Sequence, residues 1–364
     1  MTSPRPTRRP LSARSRRILD AARASAALYV VAHHVVHVPV PYDWLFSFGQ
    51  EAVVVFFVLS GFVIFNSEID RTDGPLAYYG RRFWRIYPPL VLSLLLSGVL
   101  VWSGLVLETF SWQEVAGTFL GLADRAQLMP GVIVEPFLGN LVLWSLSYEL
   151  FFYAIFPLLL RGWRANPRLV NHLVGAAGVI GMVSFELHPN HLSLVTGYLL
   201  TWWVGAMAAA EYTGVYDPSW RLMRVAVTWL VVVCALLAGL VVVQGWEGTG
   251  VYPFLSLRHF GAAVVLVAVA RGPVWGVVVR LSPLLAPLAI WVAPISYEIY
   301  IFHYPLLVQS SVAGSWPGFA ASIIPLLALS WASHLGYQAW TRRQRSRRTA
   351  SAAAADSRPV APAL

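Results

Sequence analysis

The chain has no lysine, so all 26 of its basic residues are arginine, and it has a single cysteine, Cys234. One cysteine excludes an intramolecular disulfide and a metal site built from several thiolates. Charged residues make up only 12% of the 364 residues, whereas hydrophobic residues make up 57%. A soluble protein of this length could not bury so much apolar surface. The composition therefore excludes a soluble enzyme, a nucleic-acid-binding protein and a disordered scaffold.

The sequence does contain a series of apolar stretches of about 20 residues, the length that crosses roughly 30 Å of hydrocarbon as a helix. Proline, glycine and charged residues separate these stretches into ten predicted spans. They lie near residues 18–38, 44–66, 86–106, 138–160, 169–187, 192–212, 222–244, 252–270, 288–313 and 318–340. The predicted fold is an all-α integral membrane protein with about ten transmembrane helices.

The distribution of arginine predicts the orientation of these helices, because cytoplasmic loops are enriched in basic residues. If the N-terminus is cytoplasmic, 23 of the 26 arginines fall in the tails or in loops on the same side. The other three are Arg125 in an outside loop and Arg23 and Arg258 within spans. An even number of spans with both termini in the cytoplasm fits this pattern.

The chain divides into three predicted parts. Residues 1–17 form a basic N-terminal tail, residues 18–340 the membrane domain, and residues 341–364 a basic C-terminal tail rich in alanine and proline. The first apolar stretch lacks a small-residue cleavage site, which favours a retained helix over a secretory signal. The outside segment 107–137 is acidic; it either folds over a site that opens outward or is a solvated loop.

Several ionisable residues lie within the predicted spans. Such a side chain costs several kcal/mol at bilayer depth unless it is paired or faces water, so each is a functional candidate. The candidates are Arg23, His33, His34, Glu51, Glu149, Arg258, His259, Glu298 and His303. Arg23 and His34 are eleven residues apart, about three helical turns, so they share one helix face about 16 Å apart along the axis. Alternatively, Arg23 reaches the lipid phosphates and the histidines pack against other helices.

Five segments resemble the membrane-bound acyltransferase-3 family, in order along the chain. The signature of the family's first helix is a basic residue, ten further residues and a histidine, which Arg23 and His34 match. The other four segments are FFVLSGFVI at 56–64, YGRRFWRIYP at 79–88, WSLSYELFFY at 144–153 and ISYEIYIFHYP at 295–305. They resemble the second helix, the paired-arginine entry to the third, the Trp-Ser-Leu-Ser-x-Glu segment and the late His-x-Pro element. Any one match is weak, but five in register are specific.

The sequence departs from the family pattern at two places. Ala52, Val53 and Val54 stand where many members have Gly-Val-Asp, and Leu150 and Phe151 replace a frequent Glu-Gln pair. The resemblance is to the stand-alone form, without an extracellular esterase-like domain. These departures concern the acceptor more than the reaction.

The resemblance implies acyl transfer from cytoplasmic acyl-coenzyme A, most simply acetyl-coenzyme A, to a hydroxyl of a carbohydrate or a related envelope or secreted acceptor. No metal is expected. His34 is the expected general base, because imidazole titrates near neutral pH. We expect Glu149 to orient that imidazole and stabilise its charged form, and His303 to line the acceptor side or assist proton transfer.

Arg23, Arg82 and Arg85 are the expected donor-binding residues. Arg82 and Arg85 are three residues apart on one helix face, where guanidinium groups could bind the phosphates of the donor. Without the family resemblance, simple anchoring of the helix by positive charge on the cytoplasmic side would be the preferred explanation of Arg81, Arg82 and Arg85.

Two other functions compete with acyl transfer. Buried histidine and glutamate residues also serve as proton relays, so a proton-coupled transporter or flippase is the main alternative; a structural membrane protein is the third. An inverted repeat with broken helices would favour transport, and the sequence shows no repeat. The ordered motifs favour an acyltransferase of a bacterial-type plasma membrane.

Overall fold

The computed structural model describes residues 9–36, 42–215, 219–245, 248 and 250–356. Within these residues every regular element is helical, and one isolated bridge joins Ala123 to Val134. The all-α prediction is confirmed. The α-helices are α1 (Ala13–Val35), α2 (Gly49–Glu68), α3 (Gly74–Trp102), α4 (Trp112–Leu120), α5 (Trp144–Ala165), α6 (Pro167–Leu187), α7 (His191–Thr213), α8 (Ser219–Gln244), α9 (Phe254–Arg271), α10 (Val274–Leu281), α11 (Ser296–His303) and α12 (Trp316–Asp356).

In the part of the chain that the structure describes, eight helices are long and apolar enough to cross a membrane. They correspond to eight of the ten predicted spans. The first predicted span is α1, a helix of 23 residues that carries the charged residues Asp20 and Arg23. The ninth is a broken segment around α11. The number of ten spans and the cytoplasmic location of both termini stay predictions.

The ninth predicted span is interrupted on both sides of α11. Wide π-helical turns occupy Leu288–Val292 and Tyr304–Gln309, and a tight 3-10 turn occupies Ala293–Ile295. Pro294 and Pro305 lack the amide N–H that regular helical hydrogen bonding needs, and wide turns accommodate such interruptions. The result is a short, buried α11 with His303 as its last residue.

The centre of the bundle is the crossing of α2 and α7. A Cβ atom on Gly61 would lie 1.9 Å from the backbone oxygen of Trp202, and one on Gly205 would lie 1.9 Å from that of Val58. Only glycine allows two helix backbones to approach so closely. This crossing fixes α2 in the bundle, and α1 packs against both α2 and α11. The helices that carry the candidate residues are thereby held together.

The segment 107–137, called the outside segment after its predicted location, is folded onto the bundle. It contains α4, and Phe137 and Leu138 beyond that helix are buried. The hydroxyl of Tyr87 on α3 donates to the backbone oxygen of Phe119 at 3.2 Å, and Ser147 Oγ on α5 donates to that of Ala123 at 2.7 Å. The segment thus packs against α3 and α5.

The predicted tails are described only in part. Residues 1–8 and 357–364 lie outside the described residues. Helix α1 begins after Ser12, whose hydroxyl accepts a hydrogen bond from the backbone N–H of Ser15 at 3.0 Å. Helix α12 continues to Asp356, so residues 341–356 of the predicted C-terminal tail extend the last helix.

Candidate active site

A cavity of about 390 Å³ lies between α1, α2, α3, α5, α11 and α12. Its charged lining residues are Arg23 from α1, Arg82 and Arg85 from α3, and Glu149 from α5. Further polar lining comes from Ser60, Ser145, Tyr153, Ser296, Tyr297, Tyr300, His334 and Tyr337. The structure therefore brings together the three arginines expected to bind the donor. We call this space the arginine cavity.

Arg85 forms an ion pair with a buried glutamate. Its Nη1 atom lies 3.0 Å from Oε1 of Glu298, a side chain that is fully buried. The guanidinium also lies 5.5 Å from the ring centroids of Tyr297 and Tyr337. The carboxylate and the two aromatic rings fix the direction of the guanidinium, so Glu298 is a partner of an arginine.

Arg82 lies between two aromatic rings, with its guanidinium 5.5 Å from the ring centroid of Tyr78 and 5.9 Å from that of Tyr153. Its Nη2 atom is 3.4 Å from Oε1 of Glu68. The Nε atom is buried and has no hydrogen-bond partner. Arg81 also pairs with Glu68 but does not line the cavity. Arg82 and Arg81 thus share Glu68 as a partner, but of the two it is Arg82 that lines the cavity.

Glu149 belongs to the arginine cavity and not to the surroundings of His34. Its Oε1 atom accepts a 2.7 Å hydrogen bond from the hydroxyl of Tyr153, which lies 3.1 Å from Ser60 Oγ. The Nδ1 atom of His34 lies instead 2.9 Å from the backbone oxygen of Val30. In this structure the hydrogen-bond partner of the imidazole is a backbone carbonyl rather than the Glu149 carboxylate, and the catalytic role of Glu149 stays a prediction.

A second, much smaller space of about 10 Å³ lies beside His34, with room for about one water molecule. We call it the histidine pocket. His33, His34 and Arg125 are among its polar lining residues. Val53 on α2 and Tyr300 on α11 line both spaces, so the histidine pocket adjoins the arginine cavity.

The contacts of the two histidines assign their protons. Nδ1 of His303 lies 2.8 Å from the backbone oxygen of Tyr300 and 3.2 Å from that of Ile299. Because carbonyl oxygens only accept, this nitrogen carries the proton of the neutral ring, and Nε2 keeps a lone pair. That Nε2 lies 3.4 Å from Nδ1 of His34, which also faces the carbonyl of Val30. Two acceptors require a donor, so neutral His34 is protonated on Nδ1 and has its lone pair on Nε2.

Sequence reasoning assigned no role to Arg125 or Tyr153. Arg125 is the lone basic residue of the acidic outside segment, which was the available signal. Tyr153 follows Glu149 by four residues, a spacing that places both on one helix face. Neither signal could show that the outside segment folds inward to the histidine pocket.

Three further ionisable residues of the spans have partners outside the site. The Nε atom of Arg258 lies 2.6 Å from Oε1 of Glu51, and Nη2 of the same arginine donates to the backbone oxygen of Ser47 at 3.0 Å. His259 is fully buried, with Nδ1 at 2.7 Å from the hydroxyl of Tyr198. These contacts give each of the three residues a partner within the protein.

The outside segment is anchored near the histidine pocket by Asp124. Its carboxylate accepts hydrogen bonds from the hydroxyl of Tyr148 at 2.7 Å and from the backbone N–H of Arg125 at 2.8 Å. Burial raises the pKa of Asp124 to about 6. Among the described residues, no group of three or more His, Cys, Asp or Glu side chains could hold a metal ion.

Comparisons with known proteins match nearly the whole chain. A family model described as an acyltransferase domain, of the acyltransferase-3 type, matches residues 16–335. Nodulation protein 10 of Rhizobium leguminosarum bv. viciae is 26% identical over 355 residues, covering 86% of this chain and 90% of that protein. The O-acetyl transferase of Shigella phage Sf6 is 26% identical over 348 residues, covering 89% and 94%. O-acetyltransferase OatA of Staphylococcus aureus is 23% identical over 358 residues, covering 88% of this chain and 55% of OatA. No solved structure gives a significant match.

Proposed function

Because the chain belongs to the acyltransferase-3 family and is a multi-pass membrane acyltransferase, we propose that it transfers an acyl group from cytoplasmic acyl-coenzyme A to a hydroxyl of a carbohydrate or related envelope or secreted acceptor. The simplest acyl group is acetyl, since two of the similar proteins are named O-acetyl transferases. One observation carries the proposal: a cavity with three arginines adjoins a pocket that contains a histidine with a free lone pair.

The arginine cavity is suited to the phosphates of the donor. Guanidinium groups bind phosphate oxygens through paired, charge-assisted hydrogen bonds. Arg82 has a buried N–H with no partner, and Arg85 is held in place by Glu298. From Arg23, the α1 face rises about 16 Å to His34, and the flexible pantetheine arm of the donor would follow this face. We assign Glu149 to positioning the donor, since it lies in this cavity.

The chemistry follows from the proton positions on the histidines. Nε2 of His34 takes the proton of the acceptor hydroxyl while the hydroxyl oxygen attacks the thioester carbonyl carbon. The carbon–oxygen π electrons move to the carbonyl oxygen and then return as the carbon–sulfur bond breaks. The coenzyme A thiolate receives the proton from His34. The carbonyl of Val30 and Nε2 of His303 stabilise the transient imidazolium, so His303 is a positioning residue.

A proton-coupled transporter or flippase is the second candidate. The observation that favours it is the break on both sides of α11, because discontinuous helices are common at transport sites. Acyl transfer requires chemical labelling of an acceptor, whereas transport requires movement of an unmodified substrate. One assay therefore separates them.

The test uses purified protein in proteoliposomes with radiolabelled acetyl-coenzyme A and a panel of sugar and glycan acceptors. We expect label on an acceptor with the wild-type protein and a loss of roughly 100-fold or more in His34→Ala, which lacks the base. Arg280→Gln, which changes an exposed arginine on α10, is the control and should keep full activity. Undiminished labelling by His34→Ala, or uptake of a substrate without acyl transfer, would contradict the proposal.

Donor binding is tested separately with the double variant Arg82→Gln/Arg85→Gln. Each lost charge-assisted hydrogen bond costs about 1.5–3 kcal/mol, so the Kd for acetyl-coenzyme A should rise by roughly 100-fold or more. The KM for the acceptor should not change. Arg280→Gln should bind acetyl-coenzyme A like the wild type, and an unchanged Kd in the double variant would show that the arginines only anchor the helix.

A further inference from the structure

Arg125 reaches the histidine pocket from the outside segment, between α4 and α5. It lines that pocket together with His33 and His34, and its Nε atom is buried without a hydrogen-bond partner. The two nearby acids of the same segment are engaged elsewhere. Asp124 accepts from the hydroxyl of Tyr148 and from the Arg125 backbone, and Glu135 accepts from the backbone N–H of Ala126 at 2.9 Å. The Nε–H of Arg125 therefore has no acceptor within the protein at a position that lines the pocket.

The backbone around Arg125 is fixed by several hydrogen bonds. The N–H of Asp124 donates to the backbone oxygen of Val134 at 3.0 Å, and the backbone oxygen of Arg125 accepts from Leu128 and Met129 at 3.0 and 3.1 Å. An electrostatic group that is held in place before the reaction needs no reorganisation when charge develops. The backbone of Arg125 meets that condition although it lies in a connecting segment.

The size of the histidine pocket limits what the guanidinium can contact. About 10 Å³ is the volume of one water-sized group, so individual atoms of the reacting groups fit beside His34 and Arg125, but a whole sugar or coenzyme does not. During transfer the acceptor oxygen forms a bond to carbon, whereas the thioester carbonyl oxygen gains a full negative charge. A cation beside His34 stabilises the second oxygen most when that charge appears.

We propose that Arg125 is a catalytic residue that binds the negatively charged carbonyl oxygen formed when the acceptor attacks the thioester, so that the outside segment completes a site whose base lies on α1. This inference rests on the proposed function. The electron pair on that oxygen returns to carbon as the carbon–sulfur bond breaks, and Arg125 keeps its protons throughout. The inference explains why the outside segment folds onto the bundle.

The test measures binding of two stable analogues and needs no acceptor. S-carboxymethyl-coenzyme A carries a negative charge near the acyl position, and S-acetonyl-coenzyme A is neutral there. Both use the same phosphate contacts, so the ratio of their Kd values reports only the acyl end. The wild type should prefer the anionic analogue by about tenfold or more, and Arg125→Gln should bind the two analogues equally. Gln127→Ala, an exposed position on the same segment, should keep the wild-type ratio.

Three outcomes would overturn the inference in distinguishable ways. If Arg125→Gln keeps the wild-type preference, Arg125 does not contact the acyl oxygen, and the proposed function stands. If the wild type binds both analogues without preference, the charge is not recognised at all. If the wild type binds neither analogue, the proposed function itself fails. Should Arg125→Gln lose binding of the neutral analogue, Arg125→Met, which keeps the apolar stem, replaces it in the same comparison.

Discussion

Replacement of His303 by alanine distinguishes a positioning residue from a second proton-transfer group. His303 is fully buried, and its Nε2 atom is one of two acceptors facing Nδ1 of His34. The other acceptor, the backbone oxygen of Val30, remains in His303→Ala and still holds the proton on Nδ1. His34 therefore keeps its lone pair on Nε2, and we expect catalysis to be weakened but not abolished.

The two distances set the size of this effect. The Val30 contact is 2.9 Å, a good hydrogen bond, whereas the His303 contact is 3.4 Å, near the limit. A hydrogen bond to a charged group contributes about 1.5–3 kcal/mol, and the longer contact should contribute about 1–2 kcal/mol to the imidazolium. The expected loss in kcat is roughly 5- to 30-fold. Removing the base in His34→Ala should cost roughly 100-fold or more.

The assay is the steady-state transfer of radiolabel to the acceptor that the wild type labels best. His303→Ala should lower kcat and leave the KM for acetyl-coenzyme A unchanged, because the donor phosphates are assigned to another cavity. The conservative variants give a sharper readout. His303→Gln places an acceptor near the Nε2 position and should recover much of the activity, whereas His303→Asn places its amide near Nδ1 and should not.

The reasoning would be refuted if His303→Ala were as inactive as His34→Ala while still binding acetyl-coenzyme A. It would also be refuted if His303→Asn and His303→Gln recovered activity equally. The first result would assign the lone pair of His303 a chemical step of its own, and the second would show that an acceptor at the Nε2 position does not support His34.

The remaining predictions concern stability. Gly205→Ala should lower the melting temperature, because its Cβ would lie 1.9 Å from the backbone oxygen of Val58 and overpacking costs about 1–3 kcal/mol. Gly239→Ala, which has open space around it, should leave the melting temperature unchanged. Equal melting temperatures for the two variants would show that the crossing of α2 and α7 adapts to the added methyl group. Burial raises the pKa of Asp124 from 3.8 to about 6, so the stabilisation that it provides is complete below about pH 4 and is lost as the pH rises through about 6. Thermal unfolding of the wild type should show this loss, on the order of 3 kcal/mol, relative to Asp124→Asn, and parallel pH profiles of the two proteins would contradict it.

Much of the fold could be predicted from local sequence. In hydrocarbon a chain must satisfy its backbone hydrogen bonds internally, so an apolar stretch of sufficient length has few alternatives to a helix. The relative position of Arg23 and His34 could also be predicted locally, because a spacing of eleven residues places two side chains on the same face of any regular helix. The same holds for Arg82 and Arg85. These residues are where the sequence placed them.

Local rules could not place the interruptions around α11. The predicted span 288–313 was apolar and long enough, and the wide turns at Leu288–Val292 and Tyr304–Gln309 depend on how the chain packs around Pro294 and Pro305. Proline is compatible with both a kinked helix and a broken one. The surrounding helices decided the outcome.

The sequence by itself determined which side chains are costly to bury, and hence which residues needed an explanation. Only the tertiary structure decided which of these side chains lie together. Glu149 lies with the arginines rather than with His34, and His303 contacts His34 from 269 positions away in the sequence. Arg125 lines a pocket although it belongs to none of the predicted spans. The physical reason is that helix formation depends on neighbours within one turn of the chain. These side-chain contacts depend instead on how segments distant in sequence pack, as where the backbone of Gly61 closely approaches that of Trp202.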